Sequence, residues 1–219
     1  MPLLDLEALS AAPLVRDPFT FTVVPNAVRP ADADSIRADF PAIADSGLLP
    51  VEATHPGRRF RDLVKELQSL EVAKAFSEKF GVNLVGRPQM ITVRGRCAAK
   101  DGRIHTDSQT KLITALLYFN EPWEAKGGRL RLLRSPTDLN DMIGEVPPEA
   151  GTMIAFRRSS RSYHGHEPYE GVRRYVMVNW MTTDFAAKRE LFRHRLSARV
   201  KQAAAWLKPT QPRVGGARG

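Results

Sequence analysis

The sequence predicts a mainly β, α+β protein, an antiparallel sandwich or jelly roll with helices packed on its outside. Three observations predict it. The first part of the chain carries apolar residues at helical spacing. From Met90 onward the pattern becomes short runs rich in Val, Ile, Thr and aromatics, bounded by glycine and proline. The length of 219 residues suits one well-packed core with helical additions better than two independent units.

In chain order, the spacing predicts a helix from Ala31 to Phe40, with Asp32 and Asp34 in its first turn, Ile36 and Phe40 four apart, and Pro41 ending it. A second helix is predicted from Phe60 to Phe80 on Leu63, Leu67, Leu70, Ala73 and Phe76, with Gly81 as its stop. The segment LLPVEATHPGRR between them reads as irregular. Strands are predicted for ITV at 91–93, LITALLYFN at 112–120, RLRLL at 129–133, TMIAF at 152–156 and RYVMVNW at 174–180. Gly127 and Gly128 are expected to form a hairpin between the second and third of these, and Pro147, Pro148 and Gly151 the turn before the fourth. AAKRELFRHRLSARVKQAAAWL reads as a closing basic helix. The expected organisation is a single domain over 1–208, with a helical part (1–85), a β core (86–185) and a C-terminal helix (186–208), followed by a flexible tail at 209–219.

Composition removes several function classes. No apolar run approaches the roughly 18 residues that span a bilayer. The N-terminus carries Asp5 and Glu7 where a secretory signal would be basic. A single cysteine, Cys97, cannot form an internal disulfide, so the reading is a cytoplasmic protein in a reducing compartment. The net charge of +9 lies almost wholly at the C-terminus: from residue 187 onward nine Lys or Arg face Glu190 alone, which leaves +1 for residues 1–186. A solvated basic helix accounts for this, and a nearly neutral body argues against nucleic acid as the partner.

The chemistry-bearing positions centre on RIHTD at 103–107. In an extended segment residues i and i+2 share a side, so His105 and Asp107 project together and can chelate one metal ion. A third ligand must come from the remaining histidines, His55, His164, His166 and His194. Two histidines and a carboxylate on a β scaffold form the facial arrangement that holds non-haem Fe(II) with open positions.

From Arg103 to Trp180 the order of elements is HxD, an apolar strand ending in Tyr-Phe-Asn, a Trp, Gly-Gly and an alternating Leu strand, a Pro and Gly turn, a distal His, then Gly, Arg-Tyr and Trp. This stretch of about 80 residues resembles the bacterial 2-oxoglutarate and Fe(II)-dependent oxygenases of the prolyl-4-hydroxylase-like group. The resemblance implies a double-stranded β-helix (jelly roll) core, Fe(II) as the metal, and 2-oxoglutarate and O2 as cosubstrates. It implies His105, Asp107 and His164 as the metal ligands, His164 standing four residues before Pro168, with His166 as the fallback. For the far carboxylate of 2-oxoglutarate it implies a basic residue about ten positions after the distal His. Arg174 fits that spacing, with its neighbour Arg173 expected to face solvent. The Pro168–Gly171 interval is one residue shorter than the family pattern, and a one-residue slip would exchange the two arginines. Lys111 and Tyr118 are further candidates for the cosubstrate pocket, with a surface lysine and a core aromatic as their alternatives. Arg94 stands where related hydroxylases often place a tyrosine.

The implied activity is hydroxylation of an unactivated C–H bond in a protein side chain or small metabolite, with release of succinate and CO2. Asp107 favours hydroxylation over halogenation, which would leave its position free for a halide. The loop at 44–58 and the region 94–104 are the expected substrate-covering segments. A non-catalytic jelly-roll sensor that binds metal or ligand is the rival from another class. A nucleic-acid dealkylase is disfavoured because that branch repeats an arginine six residues after the cosubstrate one, where Arg174 as the cosubstrate residue leads to Trp180. The sequence leaves the substrate and the oligomeric state open.

Overall fold

The computed structural model describes residues 2–192. Its elements are α1 (Leu6–Ala11), β1 (Phe21–Val24), α2 (Pro30–Ala38), β2 (Leu49–Pro50), α3 (Arg58–Leu67), α4 (Leu70–Phe80), β3 (Gln89–Cys97), β4 (Lys111–Tyr118), β5 (Leu130–Leu133), β6 (Met142–Val146), β7 (Met153–Arg157), β8 (Tyr163–Gly165) and β9 (Gly171–Met181). A further helix, α5, occupies 184–192. The expected C-terminal helix is helical as far as residue 192; the rest of it and the tail lie outside the described residues.

The strands form two antiparallel sheets, a six-stranded one in the order β1-β7-β4-β9-β3-β2 and a three-stranded one in the order β6-β5-β8. They face each other across a shared core. Leu116, Tyr118, Ile154, Phe156, Tyr175 and Met177 from the large sheet meet Leu130, Leu132 and Val146 from the small one. The opposite face of the large sheet, with Ile113, Ala115, Leu117, Val176, Val178 and Trp180, packs on the helices through Ile36, Phe60, Leu63, Phe76 and Phe80. Both faces of β4 and β9 are therefore buried, which is why these strands read as continuous apolar runs.

Several expectations needed correction. The predicted helix over 60–80 is two helices: the chain breaks at Gln68, and Ser69 caps α4 by accepting a hydrogen bond from the backbone of Val72 at 3.2 Å. Gly81 ends α4 in the left-handed conformation, φ 62°, as expected. Gly127 and Gly128 make no hairpin, because β4 and β5 belong to different sheets and the glycines lie on the crossover between them. Strands β1, β2 and β6, too short or too polar to carry a period-two signal, were not anticipated. Nor was α1, which Asp5 caps by accepting a bond from Ala8. Strands β1 and β2 lie within the supposedly helical part of the chain and close the two edges of the large sheet.

Candidate metal centre and cosubstrate pocket

The site sits between the two sheets. His105 does not lie in a strand; it makes an isolated antiparallel bridge to His164 of β8, each backbone N–H donating to the other's carbonyl at 3.0 Å. Residues opposed in this way point to the same side, and the two imidazoles come within 4.3 Å of each other, centroid to centroid. Gly165 permits the close approach: a Cβ there would stand 2.7 Å from the backbone oxygen of Gly102. Asp107 follows two residues after His105 in the same extended segment. One ligand atom from each of His105, Asp107 and His164 can be chosen so that all three lie within 4.8 Å of one another. The sequence expectation that the HxD pair projects together holds, although a loop tied by one bridge, not a strand, achieves it.

The chemistry of this donor set fits a divalent metal. His105 Nδ1 lies 2.9 Å from the carbonyl of Arg103, and His164 Nδ1 lies 3.0 Å from that of Ser162. Each ring can therefore keep its proton on Nδ1 and present a bare Nε2. Burial pushes the His164 imidazole down to about 4. Burial also works to raise the Asp107 carboxyl, but the charges of Lys111 and His164 and hydrogen bonds from Thr114 and Lys111 override it and hold the group down to about 2. At neutral pH both residues are in the ligating form.

These three line a cavity of about 580 Å³ together with Leu48, Arg94, Asp101, Thr114, Leu116, Leu130, His166, Arg173, Tyr175, Met177 and Glu190. Both expected covering segments reach it, one through Leu48 and the other through Arg94, Asp101 and Gly102.

The two arginines are placed opposite to expectation. Along β9, Arg173 shares the inner face with Tyr175, Met177 and Asn179, whereas Arg174 shares the helix-side face with Val176, Val178 and Trp180. Arg174 leaves the metal cavity, and its guanidinium lies 5.9 Å from the Phe40 ring. Arg173, expected in solvent, is 2% exposed. Arg173, and not Arg174, lines the cavity, which is the placement that a one-residue slip at the shortened Pro168–Gly171 interval would give. Counting six residues on from Arg173 gives Asn179, so the second arginine of the dealkylating branch is absent here too.

Arg173 is held by its neighbours. Its Nε donates to the Gly128 carbonyl at 2.7 Å, its Nη2 lies 3.5 Å from the Tyr118 hydroxyl, and its guanidinium sits 5.4 and 5.2 Å from the Tyr118 and Tyr175 rings. Among the described residues no carboxylate lies within 4 Å of it, so a buried guanidinium facing a cavity lacks an anion. A dicarboxylic acid fits that need.

Tyr118 is fully buried and does not line the cavity; it backs Arg173, and burial pushes its phenol up to about 12. Lys111 is not a surface lysine. A register shift between Lys111 and Ile113 in the β4–β9 ladder accompanies its turn inward, where Nζ meets Asp107 Oδ1 at 2.9 Å. His166 lines the cavity, 3.8 Å from the Cys97 thiol, and burial with the Arg173 charge pushes its imidazole down to about 4. Arg94 also lines it, paired with Asp101 at 2.5 Å and lying 5.9 Å from the Tyr175 ring. Of the other histidines, His55 is exposed and does not line this cavity, and His194 lies outside the described residues. Sequence reasoning passed over Thr114, Asn179 and Glu190. An asparagine inside the apolar run RYVMVNW was the available signal.

The sequence profile of the 2OG-Fe(II) oxygenase superfamily matches residues 96–182. The matched segment runs from the end of β3 through β9 and contains the HxD pair, the distal histidine and both arginines. Among solved structures the fold is similar to that of a prolyl-4-hydroxylase from Pseudomonas putida (TM-score 0.53, 16% identity, covering 80% of this chain and 96% of that one). It is also similar to that of the viral collagen prolyl hydroxylase of Paramecium Bursaria Chlorella virus-1 in its 2OG complex (TM-score 0.53, 14% identity, covering 76% and 97%). No curated protein matches the chain. The architecture is the double-stranded β-helix that the sequence resemblance implied. Oxygenases of this superfamily use Fe(II), 2-oxoglutarate and O2. Among the described residues no helix is long and apolar enough to cross a membrane.

Proposed function

We propose that this oxygenase hydroxylates an unactivated C–H bond of a peptide side chain or a small metabolite, using His105, Asp107 and His164 to hold iron and Arg173 to hold the far carboxylate of 2-oxoglutarate. The observation that carries the reading is the meeting, in one cavity, of the His105-Asp107-His164 cluster with a buried guanidinium that has no anionic partner among the described residues. Iron(II) bound by the cluster would supply the oxygen activation that couples decarboxylation of 2-oxoglutarate, to succinate and CO2, with hydroxylation.

The residues of the chain supply placement and exclusion. Arg173, pinned between two tyrosines and the Gly128 carbonyl, offers its remaining N–H groups to a carboxylate in a fixed orientation. Leu116, Leu130 and Met177 give apolar walls that keep water from that ion pair and strengthen it. Lys111 and Thr114 hold the Asp107 carboxylate from two sides. His105, the exposed member of the cluster, marks the side open to substrate. The prolyl hydroxylases of similar fold motivate a peptide substrate as the first class to screen.

Anaerobic addition of Fe(II) and 2-oxoglutarate to the purified protein should produce the weak visible charge-transfer band of the chelate, and admission of air should yield succinate. Absence of both overturns the proposal.

A further inference from the structure

Thr114 and Asn179 are an opposed pair in the β4–β9 ladder, on the face that looks into the cavity. They are 1% and 0% exposed. Thr114 Oγ1 lies 2.5 Å from Asp107 Oδ2 and 3.0 Å from Asn179 Oδ1, while the buried Nδ2 of Asn179 has no partner among the described residues. A hydroxyl has one proton, so Thr114 cannot donate to both neighbours. The Asp107 carboxylate is ionised and accepts only, so the proton belongs to that bond. The oxygen and nitrogen of an asparagine amide are interchangeable in shape, and exchanging them lets Nδ2 donate to Thr114 Oγ1. The exchange removes the conflict at Thr114 and moves the remaining deficit from a donor to a carbonyl-type oxygen, the less rare kind.

We infer that Asn179 and Thr114 form a one-way hydrogen-bond relay, Asn179 Nδ2 to Thr114 Oγ1 to Asp107 Oδ2, that orients the Asp107 carboxylate for the metal. This rests on the reading of Asp107 as an iron ligand. The relay accounts for an asparagine, a residue strands disfavour, inside the unbroken buried run 175–181 of β9: a leucine there would fill the space but leave the Thr114 hydroxyl free to turn away from Asp107. Lys111 holds the other carboxylate oxygen through a flexible stem, so it neutralises charge, whereas the β-branched Thr114, fixed at χ1 and braced from behind, sets the plane of the carboxylate. Thr114 and Asn179 are positioning residues; neither is assigned contact with metal or substrate.

The test is Co(II) binding to the metal-free full-length protein without 2-oxoglutarate, followed by visible absorption, alongside thermal melts of the metal-free forms. Thr114→Val, which keeps shape and removes the donor, should weaken Co(II) binding by about 10- to 100-fold and alter the Co(II) band shape, while Thr114→Ser should stay within about threefold of wild type. Asn179→Leu should weaken binding by at least about threefold, and it carries the test if Thr114→Val does not fold. A pair that merely knits β4 to β9 would lower the melting temperature and leave the affinity alone. Valine or leucine variants that bind Co(II) like wild type therefore overturn the relay, as does an equal loss in the valine and serine variants. Failure of the wild-type protein to bind Co(II) overturns the metal-site reading beneath it, and that result is separate from any difference between variants.

Discussion

Arg173 Nη2 lies 3.5 Å from the hydroxyl of Tyr118, and the guanidinium lies 5.4 Å from that ring, facing the cavity with no acidic partner among the described residues. Tyr118 lies on β4 and Arg173 on β9, so the pocket's cation is fixed by the sheet together with the Gly128 carbonyl of the crossover that follows β4.

The first prediction follows from that placement. Arg173→Met should raise the KM for 2-oxoglutarate by about 10- to 100-fold, since a charge-assisted hydrogen bond contributes about 1.5–3 kcal/mol and about 1.4 kcal/mol is tenfold. Arg174→Met, on the other face, should change it by less than about twofold. Succinate formation against 2-oxoglutarate concentration measures both. The reverse ranking would return the assignment to Arg174.

Metal addition and removal give the second. Mn(II) at about a hundredfold its Kd should stabilise the protein by about 2.7 kcal/mol, which for a chain of this size raises the melting temperature by roughly 5–10 °C. A chelator should abolish the rise. His105→Ala should melt near the metal-free wild type, because the side chain is exposed, but show little response to Mn(II). A His105→Ala protein that responds in full would remove His105 from the ligand set.

The difference between legible and illegible features here is largely one of parity. The helix-facing residues of β4 and β9 and the HxD-to-distal-His order were readable, because apolar spacing and ligand chemistry are carried by the residues themselves. Arg173 and Arg174 were not separable, because both faces of β9 are buried and alternation gives no inside or outside. Lys111 was hidden by the irregular register beside it, which breaks the count of faces. The Gly127-Gly128 hairpin failed for another reason: glycine marks a turn but does not say whether the chain returns to the same sheet. Glu190 reaches the cavity from α5, and only the tertiary fold brings a residue of the basic segment beside Thr110, whose hydroxyl donates to it at 3.0 Å.

The third prediction concerns Lys111, which is 8% exposed and paired with Asp107. Removing one partner of a buried pair costs about 3–5 kcal/mol because the other charge is left alone. Lys111→Met should therefore destabilise the metal-free protein by about that amount. A divalent ion at Asp107 then restores the missing positive charge, so the Mn(II)-induced rise in melting temperature should be larger in Lys111→Met than in wild type. An equal or smaller rise would mean that ammonium and metal do not share the carboxylate.

Asp101 gives a pH-dependent prediction away from the metal ligands. Burial opposes its ionisation, but the Ala98 N–H at 3.0 Å and the Arg94 charge and hydrogen bond prevail and hold the carboxyl below its usual value. A carboxyl with a lowered pKa in the folded state stabilises fully above the unfolded value of about 3.9 and loses that contribution as pH falls through the folded value. Asp101→Asn should therefore cost about 1–3 kcal/mol at neutral pH, the loss of a charge-assisted bond to a guanidinium that is itself largely buried. The gap between wild type and variant in urea unfolding should be flat from about pH 7 to pH 5 and narrow progressively as pH falls below the unfolded value of about 3.9 towards the lowered folded value. Every other carboxylate titrates in both proteins and cancels in the difference. A gap that persists undiminished at about pH 3 would mean that the side chain acts there by shape and not by charge.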